Sequence, residues 1–283
     1  MKILITFFLI SLFILNACYQ AEVPDANSCK IARIDNFRTN FKNGVEVAQE
    51  RVVAYDFEYD NIGNIKAFIG YEKNDLGKFE VEKKKTVFYD LKGNPIKIES
   101  LSSNSTIVSE YNAIATDEKG RIVKSESFSL QLSGFKLQNT DTYVYDSTGR
   151  LNTINRLITP NTTPLIIKFV YDTLGNIAES SFGSVNQAYK ITGKFTAYDK
   201  EFNSTGSKNA VLISILRNEI NGISFSKNNV MAYTTYNFNG TVNAEYRHTY
   251  QYNKQEFPFI VKITKIKPNE NSISDYTVQY QCP

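Results

Sequence analysis

Beyond residue 29, apolar and polar positions alternate with a period of two along most of the chain, the pattern of strands with one buried and one solvated face. In Thr140-Asp141-Thr142-Tyr143-Val144-Tyr145 the β-favouring side chains dominate, and Ile166 to Tyr171 and Thr86 to Tyr89 read the same way. One segment breaks the pattern. Ser207 to Asn221 carries apolar residues at helical spacing, with Gly222 placed to stop a helix. The other exception is the start of the chain, where Ile3 to Leu15 is apolar except for Thr6 and Ser11.

The strands are punctuated by a recurring turn. It appears as Tyr59-Asp60-Asn61-Ile62-Gly63 and Tyr89-Asp90-Leu91-Lys92-Gly93, then as Thr116-Asp117-Glu118-Lys119-Gly120, Tyr145-Asp146-Ser147-Thr148-Gly149 and Tyr171-Asp172-Thr173-Leu174-Gly175. The glycines recur every 26 to 30 residues, a true period. Degenerate copies stand at Tyr198-Asp199, at Tyr236 to Gly240 and at Tyr252 to Glu256. An aspartate side chain accepts a backbone N–H two residues on, and a glycine three residues on accepts positive φ without a Cβ clash. Each copy is therefore a hairpin loop. The expected fold is all-β: a long antiparallel meander that curls into a barrel or strongly curved sheet, with at most one short helix.

The apolar leader follows a single Lys2 and is too short to span a bilayer, for which about 20 residues are needed. Residues 1–17 read as an export signal. Leu15-Asn16-Ala17-Cys18 resembles the bacterial lipobox, and that resemblance makes Cys18 the acylated first residue of the mature protein. Residues 18–28 then form a lipidated flexible tether, and 29–283 one β domain. The membrane is a partner through lipid alone, because strands such as Lys78 to Lys83 would put charges on the lipid face of an integral barrel. Cys29 and Cys282, an even pair in an oxidising compartment, are expected to form a disulfide that makes the first and last strands neighbours.

Composition then narrows the chemistry. The net charge is +3 with no long basic block, which gives no electrostatic basis for binding nucleic acid. Lys83-Lys84-Lys85 reads as a solvated strand edge. His248 is the only histidine, no nucleophile elbow accompanies it, and it reads as a surface or packing residue. No catalytic residue, metal site or cofactor is assigned. The turns Asp60, Asn61, Asn64 and Asp172, Asn176 offer too few carboxylates for calcium, which takes six to eight oxygens.

The chain has 18 tyrosines and no tryptophan. Tyr143 with Tyr145, and Tyr250 with Tyr252, share strand faces and are the candidates for stacking on a ligand; packing is the competing reading of the same residues. Asp146-Ser147-Thr148 and Asp172-Thr173-Leu174 resemble the Asp-Ser/Thr-aliphatic acceptor of Bacteroidota O-glycosylation, which makes Ser147 and Thr173 candidate sites. Turn chemistry explains both aspartates equally well.

The Tyr-Asp units resemble the YD repeats of large bacterial surface and toxin-shell proteins. The lipobox, Cys29-Lys30-Ile31, Ser226-Lys227-Asn228-Asn229 and the closing Tyr280-Gln281-Cys282 together resemble a family of Bacteroidota lipoproteins, a domain of unknown function with a porin-like fold. Glu256-Phe257-Pro258 departs from it, since the family commonly has glycine before the aromatic-proline pair. The resemblance implies a barrel anchored by lipid to the outer membrane, on its periplasmic or outer face, and implies no activity. Two functions are consistent with these readings. One is a non-catalytic binding module for a glycan, lipid or other apolar ligand. The other is a structural or assembly partner of another envelope protein.

Overall fold

The Asp-x-x-Gly turns form as their chemistry requires. In the turn at residues 60–64 the Asp60 carboxylate accepts the Ile62 and Asn64 amides at 3.1 and 2.8 Å, and the Gly63 amide donates to the Asp60 carbonyl at 3.1 Å. Asp90, Asp117, Asp146 and Asp172 repeat the arrangement. The five glycines all have φ between +74° and +92°, a region that penalises a Cβ. In the degenerate copy at residues 253–257, Glu256 occupies the glycine position with φ +63°. The glycine is thus replaced while the turn type is retained.

The computed structural model describes residues 29–73, 78–103, 105–185, 187–203, 209–220, 222–267 and 270–281. Sixteen antiparallel strands follow one another in an unbroken meander. The first eight are β1 (Lys30–Lys42), β2 (Val45–Tyr59), β3 (Ile65–Lys73), β4 (Phe79–Tyr89), β5 (Pro95–Ser102), β6 (Val108–Thr116), β7 (Ile122–Gln131) and β8 (Gly134–Tyr145). The remainder are β9 (Leu151–Ile158), β10 (Leu165–Tyr171), β11 (Ile177–Ser184), β12 (Gln187–Phe202), β13 (Asn228–Tyr236), β14 (Val242–Tyr252), β15 (Pro258–Ile266) and β16 (Glu270–Gln281). Between β12 and β13 lie α1 (Ala210–Arg217) and a 3₁₀ turn at Gly222–Phe225. Residues β1 and β16 pair from Lys30 opposite Gln281 to Lys42 opposite Glu270, so the sheet closes into a barrel. Cys29 therefore stands beside the end of β16. Cys282, the leader, Cys18 and the tether lie outside the described residues.

The Asp turns, the Asn253 turn and the start of β1 gather at one end of the barrel, here termed the turn end. The sixth copy of the repeat departs from the expectation. Tyr198-Asp199 lies inside β12, and where a tight turn is predicted the chain makes the excursion that carries α1. Asp199 still performs its turn role across a longer distance, accepting the Asn229 amide at 3.1 Å. The excursion also shifts the phase of the repeat: the Tyr236 to Gly240 copy turns at the opposite, far end.

A closed barrel of sixteen strands leaves an aqueous channel unless something fills it. Here α1 occupies the turn-end half of the lumen. Ala210, Val211, Leu212, Ile213 and Leu216 are buried, and they join one apolar core with Ile65, Ile98, Ile122, Leu151, Ile154, Phe169 and Ile177 from the walls. A helix apolar on all sides is stable only when surrounded, and the barrel surrounds it. It is shorter than the predicted Ser207 to Asn221, because Asn218 takes the left-handed conformation at φ +55° four residues before Gly222. Lys85 closes the helix end: its Nζ donates to the Ile215 carbonyl at 3.1 Å. The reading of Lys83-Lys84-Lys85 as a solvated edge is thereby corrected. Lys84 lies outside, its Nζ 3.9 Å from the Glu58 carboxylate, but Lys85 is buried on the inner wall, where desolvation and then Lys83 bring its pKa down to about 8.

The outer face is not an apolar belt. Arg33 pairs with Asp35 and Asp56 at 2.8 Å, Lys97 with Glu99 at 2.6 Å and Lys124 with Glu126 at 2.7 Å, all on outward-facing positions. These pairs lie in the part of the strands nearer the turn end, and charges on a lipid-facing surface carry a cost that grows toward the bilayer midplane.

Candidate functional site

Seven tyrosines tie neighbouring strands together through their hydroxyls. At the turn end, Tyr59, Tyr89, Tyr145, Tyr171 and Tyr280 donate their hydroxyls to the carbonyls of Ile31, Ile65, Ile122, Leu151 and Pro258 at 2.8–3.0 Å. Tyr198 and Tyr250 do the same to Ile177 and Val230. Each even-numbered strand thus ties itself to the start of the strand before it, and the ties run round the barrel. Only β6 breaks the series, because Thr116 stands where tyrosine would. Arg121 and Arg150 lie over the Tyr145 and Tyr171 rings, with centroid distances of 4.5 and 4.6 Å.

This placement separates the stacking candidates. Tyr145 belongs to the belt and its ring is covered by Arg121. Tyr143 is buried at 5% exposure, one step deeper on the inner wall, against the core. Tyr250 faces the open part of the lumen, and Tyr252 stacks beside it at 6.0 Å with its hydroxyl on Asp199. The structure therefore brings Tyr250 and Tyr252 together, with Tyr250 on the wall of the cavity along β13 to β16, and places Tyr143 and Tyr145 on two other cavities, on either side of α1. Ser147 and Thr173 sit at the tips of exposed Asp turns, where an enzyme has access.

α1 leaves three cavities in the lumen: about 190 Å³ beside Ser214 and Asn218, about 560 Å³ between its first turn and the Asp turns, and about 660 Å³ along β13 to β16 and β1. The last runs from Pro258 and Tyr280 near the turn end to Lys42 and Glu270 at the far rim. Register places its wall in rows. Arg38 stands opposite Ser274, Ser274 opposite Ile263, and Ile263 opposite His248. In the next row Asn40, Ser272, Lys265, Tyr246 and Tyr233 follow across five strands. On the other side of the first row lie Asn36, Tyr276, Val261 and Tyr250. Tyr233 and Tyr246 are stacked almost parallel at 4.4 Å, and Phe195 stacks on Tyr233 at 5.2 Å. From the helix side Arg217 enters beside Tyr55 and pairs with Glu219 at 2.8 Å.

The wall carries unmet hydrogen-bonding capacity. Tyr250 donates its proton to the Val230 carbonyl at 2.5 Å, so at its 3.1 Å contact with His248 the Nδ1 must be the donor. Burial lowers the His248 pKa to about 4, so the ring is neutral and Nε2 is an acceptor. That Nε2 is buried without a partner among the described residues, as are Asn36 Oδ1 and Arg217 Nε. Burial raises the Tyr276 pKa, and the guanidiniums of Arg217 and Arg38 partly offset it. His248 is thus the packing residue the sequence suggests, with one nitrogen unsatisfied.

Sequence reasoning missed Arg38, Arg217, Tyr233, Tyr246 and Lys265. The available signal was the alternation Tyr246, His248, Tyr250 within one strand, which marks a shared face without saying that the face is a lumen.

No protein-family model matches the chain, and no curated protein matches it. Among solved structures, a porin-like protein from Bacteroides uniformis is similar over 88% of this chain and 98% of its own, with TM-score 0.57 and 11% identity. A porin-like protein from Bacteroides vulgatus matches 89% of this chain and 98% of its own, with TM-score 0.47 and 14% identity. At such identity the likeness to the first is one of fold.

Proposed function

We propose that the protein is a lipid-anchored, non-catalytic binding module of the cell envelope that holds a glycan, lipid or other apolar ligand in its lumen. The observation that carries this reading is the aromatic-lined cavity of about 660 Å³ beside the helical plug. Ligand sites are concave, mostly apolar and equipped with a few convergent polar groups, and this volume lies within the usual range of about 300–1,000 Å³. The alternative, an assembly partner bound through a sheet edge or loop, is weakened by closure. Every strand is paired on both sides, so only loops remain for it.

The lipobox-like Leu15 to Cys18 supports an anchor at Cys18 after removal of residues 1–17. The charged outer wall supports a barrel that stands on the membrane by its lipid and tether. The Lys30–Gln281 register supports a Cys29–Cys282 disulfide. Membership of the Bacteroidota lipoprotein family rests on the order of its short motifs. Intact-mass analysis and unreduced peptide mapping of protein from its own envelope test these assignments together. The expected result is an acylated Cys18, a Cys29–Cys282 peptide pair, and glycan on Ser147 and Thr173. An unprocessed leader, free thiols or bare turn peptides would each contradict the corresponding assignment. The lumen reading itself is tested by what the protein retains through native purification: a small molecule inside supports it, and an empty barrel unaffected by glycans and lipids transfers the reading to a protein partner.

A further inference from the structure

The lumen has a chemical polarity that narrows its ligand. Five cationic side chains line the cavity against two acidic ones, Glu219 and Glu270. Glu219 is already paired with Arg217. Arg38 and Lys265 form no ion pair among the described residues, and both face inward from the closing seam of the barrel. They lie two strands and one inward position apart, which is about 10 Å across the sheet and about 7 Å along it. Ser274 and Ser272 occupy the wall between them. Long side chains from both sides can therefore converge on one group held above two hydroxyls.

Next to this polar patch stands a flat aromatic face. Lys265 lies at 5.7 Å from the Tyr246 ring centroid, and Tyr246 continues into the Tyr233 and Phe195 stack. Unpaired cations inside a partly desolvated lumen favour an anion far more than they would in water. The stacked rings favour an apolar or ring-shaped body beside it. Buried Arg217 Nε supplies an additional donor without a partner.

We infer that the lumen binds an anionic amphiphile, with its carboxylate, sulfate or phosphate group between Arg38 and Lys265 and its ring or acyl body against Tyr246 and Tyr233. This inference rests on the lumen being a binding site and specifies the class of ligand.

Two fluorescent probes of one shape separate the questions. Anilinonaphthalene sulfonate carries an aromatic body with an anionic group; N-phenylnaphthylamine has the same kind of body without the charge. The purified protein is expected to bind the sulfonate at least roughly tenfold more tightly, because a hydrogen bond to a charged group is stronger than one between neutral groups. Arg38→Gln combined with Lys265→Gln should abolish that preference and leave the neutral probe unaffected. Lys265→Arg should retain it, which guards against a merely misfolded double variant. Equal affinity for the two probes, or a preference that survives the double substitution, overturns the anionic inference while leaving the lumen as a site. Binding of neither probe overturns the lumen reading and the inference with it.

Discussion

Leu216→Ala is expected to lower the free energy of unfolding by about 2–5 kcal/mol, the usual range for truncating a buried leucine. Leu216 is 1% exposed on α1 and packs in the core that plugs the turn end. Neighbouring walls are held by the hydrogen-bonded sheet and cannot collapse into the space left behind, which favours the upper part of that range. Denaturant unfolding should show a lower midpoint with an unchanged slope. Leu174→Ala, on an Asp-turn tip at 70% exposure, is the control and should change stability by no more than about 0.5 kcal/mol. Equal effects at the two positions would mean that α1 is not the plug.

The second large effect is expected at Asp141 and Arg156. They face each other across β8 and β9 on the inner wall, joined by two hydrogen bonds of 2.7 Å. Asp141 is almost fully buried, with a side-chain exposure of 7% against 32% for Arg156. Arg156→Met leaves that carboxylate buried without its partner and should cost about 3 kcal/mol, the low end for breaking a buried pair because arginine retains solvent contact. Asp141→Leu combined with Arg156→Met removes both charges and should recover most of the loss. Additive losses in the double variant would show that the pair is not coupled.

The turns could be read directly, because an aspartate two residues before its amide partner and a glycine at positive φ are local chemistry that no distant contact overrides. The all-β meander followed from those turns and from the period-two strands between them. The plug was harder. Ser207 to Asn221 carried a helical pattern, yet nothing local says that a helix will be enclosed by its own barrel, or that Asn218 will end it before Gly222. Lys85 looked like part of a basic surface cluster, because a lysine's burial depends on the carbonyl of Ile215, 130 residues away. The cavity wall was the least legible. Arg38 and Lys265 lie at opposite ends of the chain and meet only because β1 pairs with β16, so their proximity is a product of closure and register. Tyr143 and Tyr145 were indistinguishable in pattern from Tyr250 and Tyr252. What separates them is how α1 divides the lumen, with Tyr143, Tyr145 and Tyr250 facing three different cavities.

The central claim is that the open half of the lumen is a ligand site, and occupancy tests it most directly. Ser272 lies on the cavity wall beside Lys265, and Ser272→Trp would project an indole into the space a ligand needs. Native mass spectrometry of both proteins, purified from the native envelope without denaturation, reads the outcome. The account predicts a non-covalent small-molecule adduct on the natural protein that is absent from Ser272→Trp, with the lipid on Cys18 present in both. An identical set of masses for the two, with no releasable adduct on either or with the same adduct on both, would contradict it.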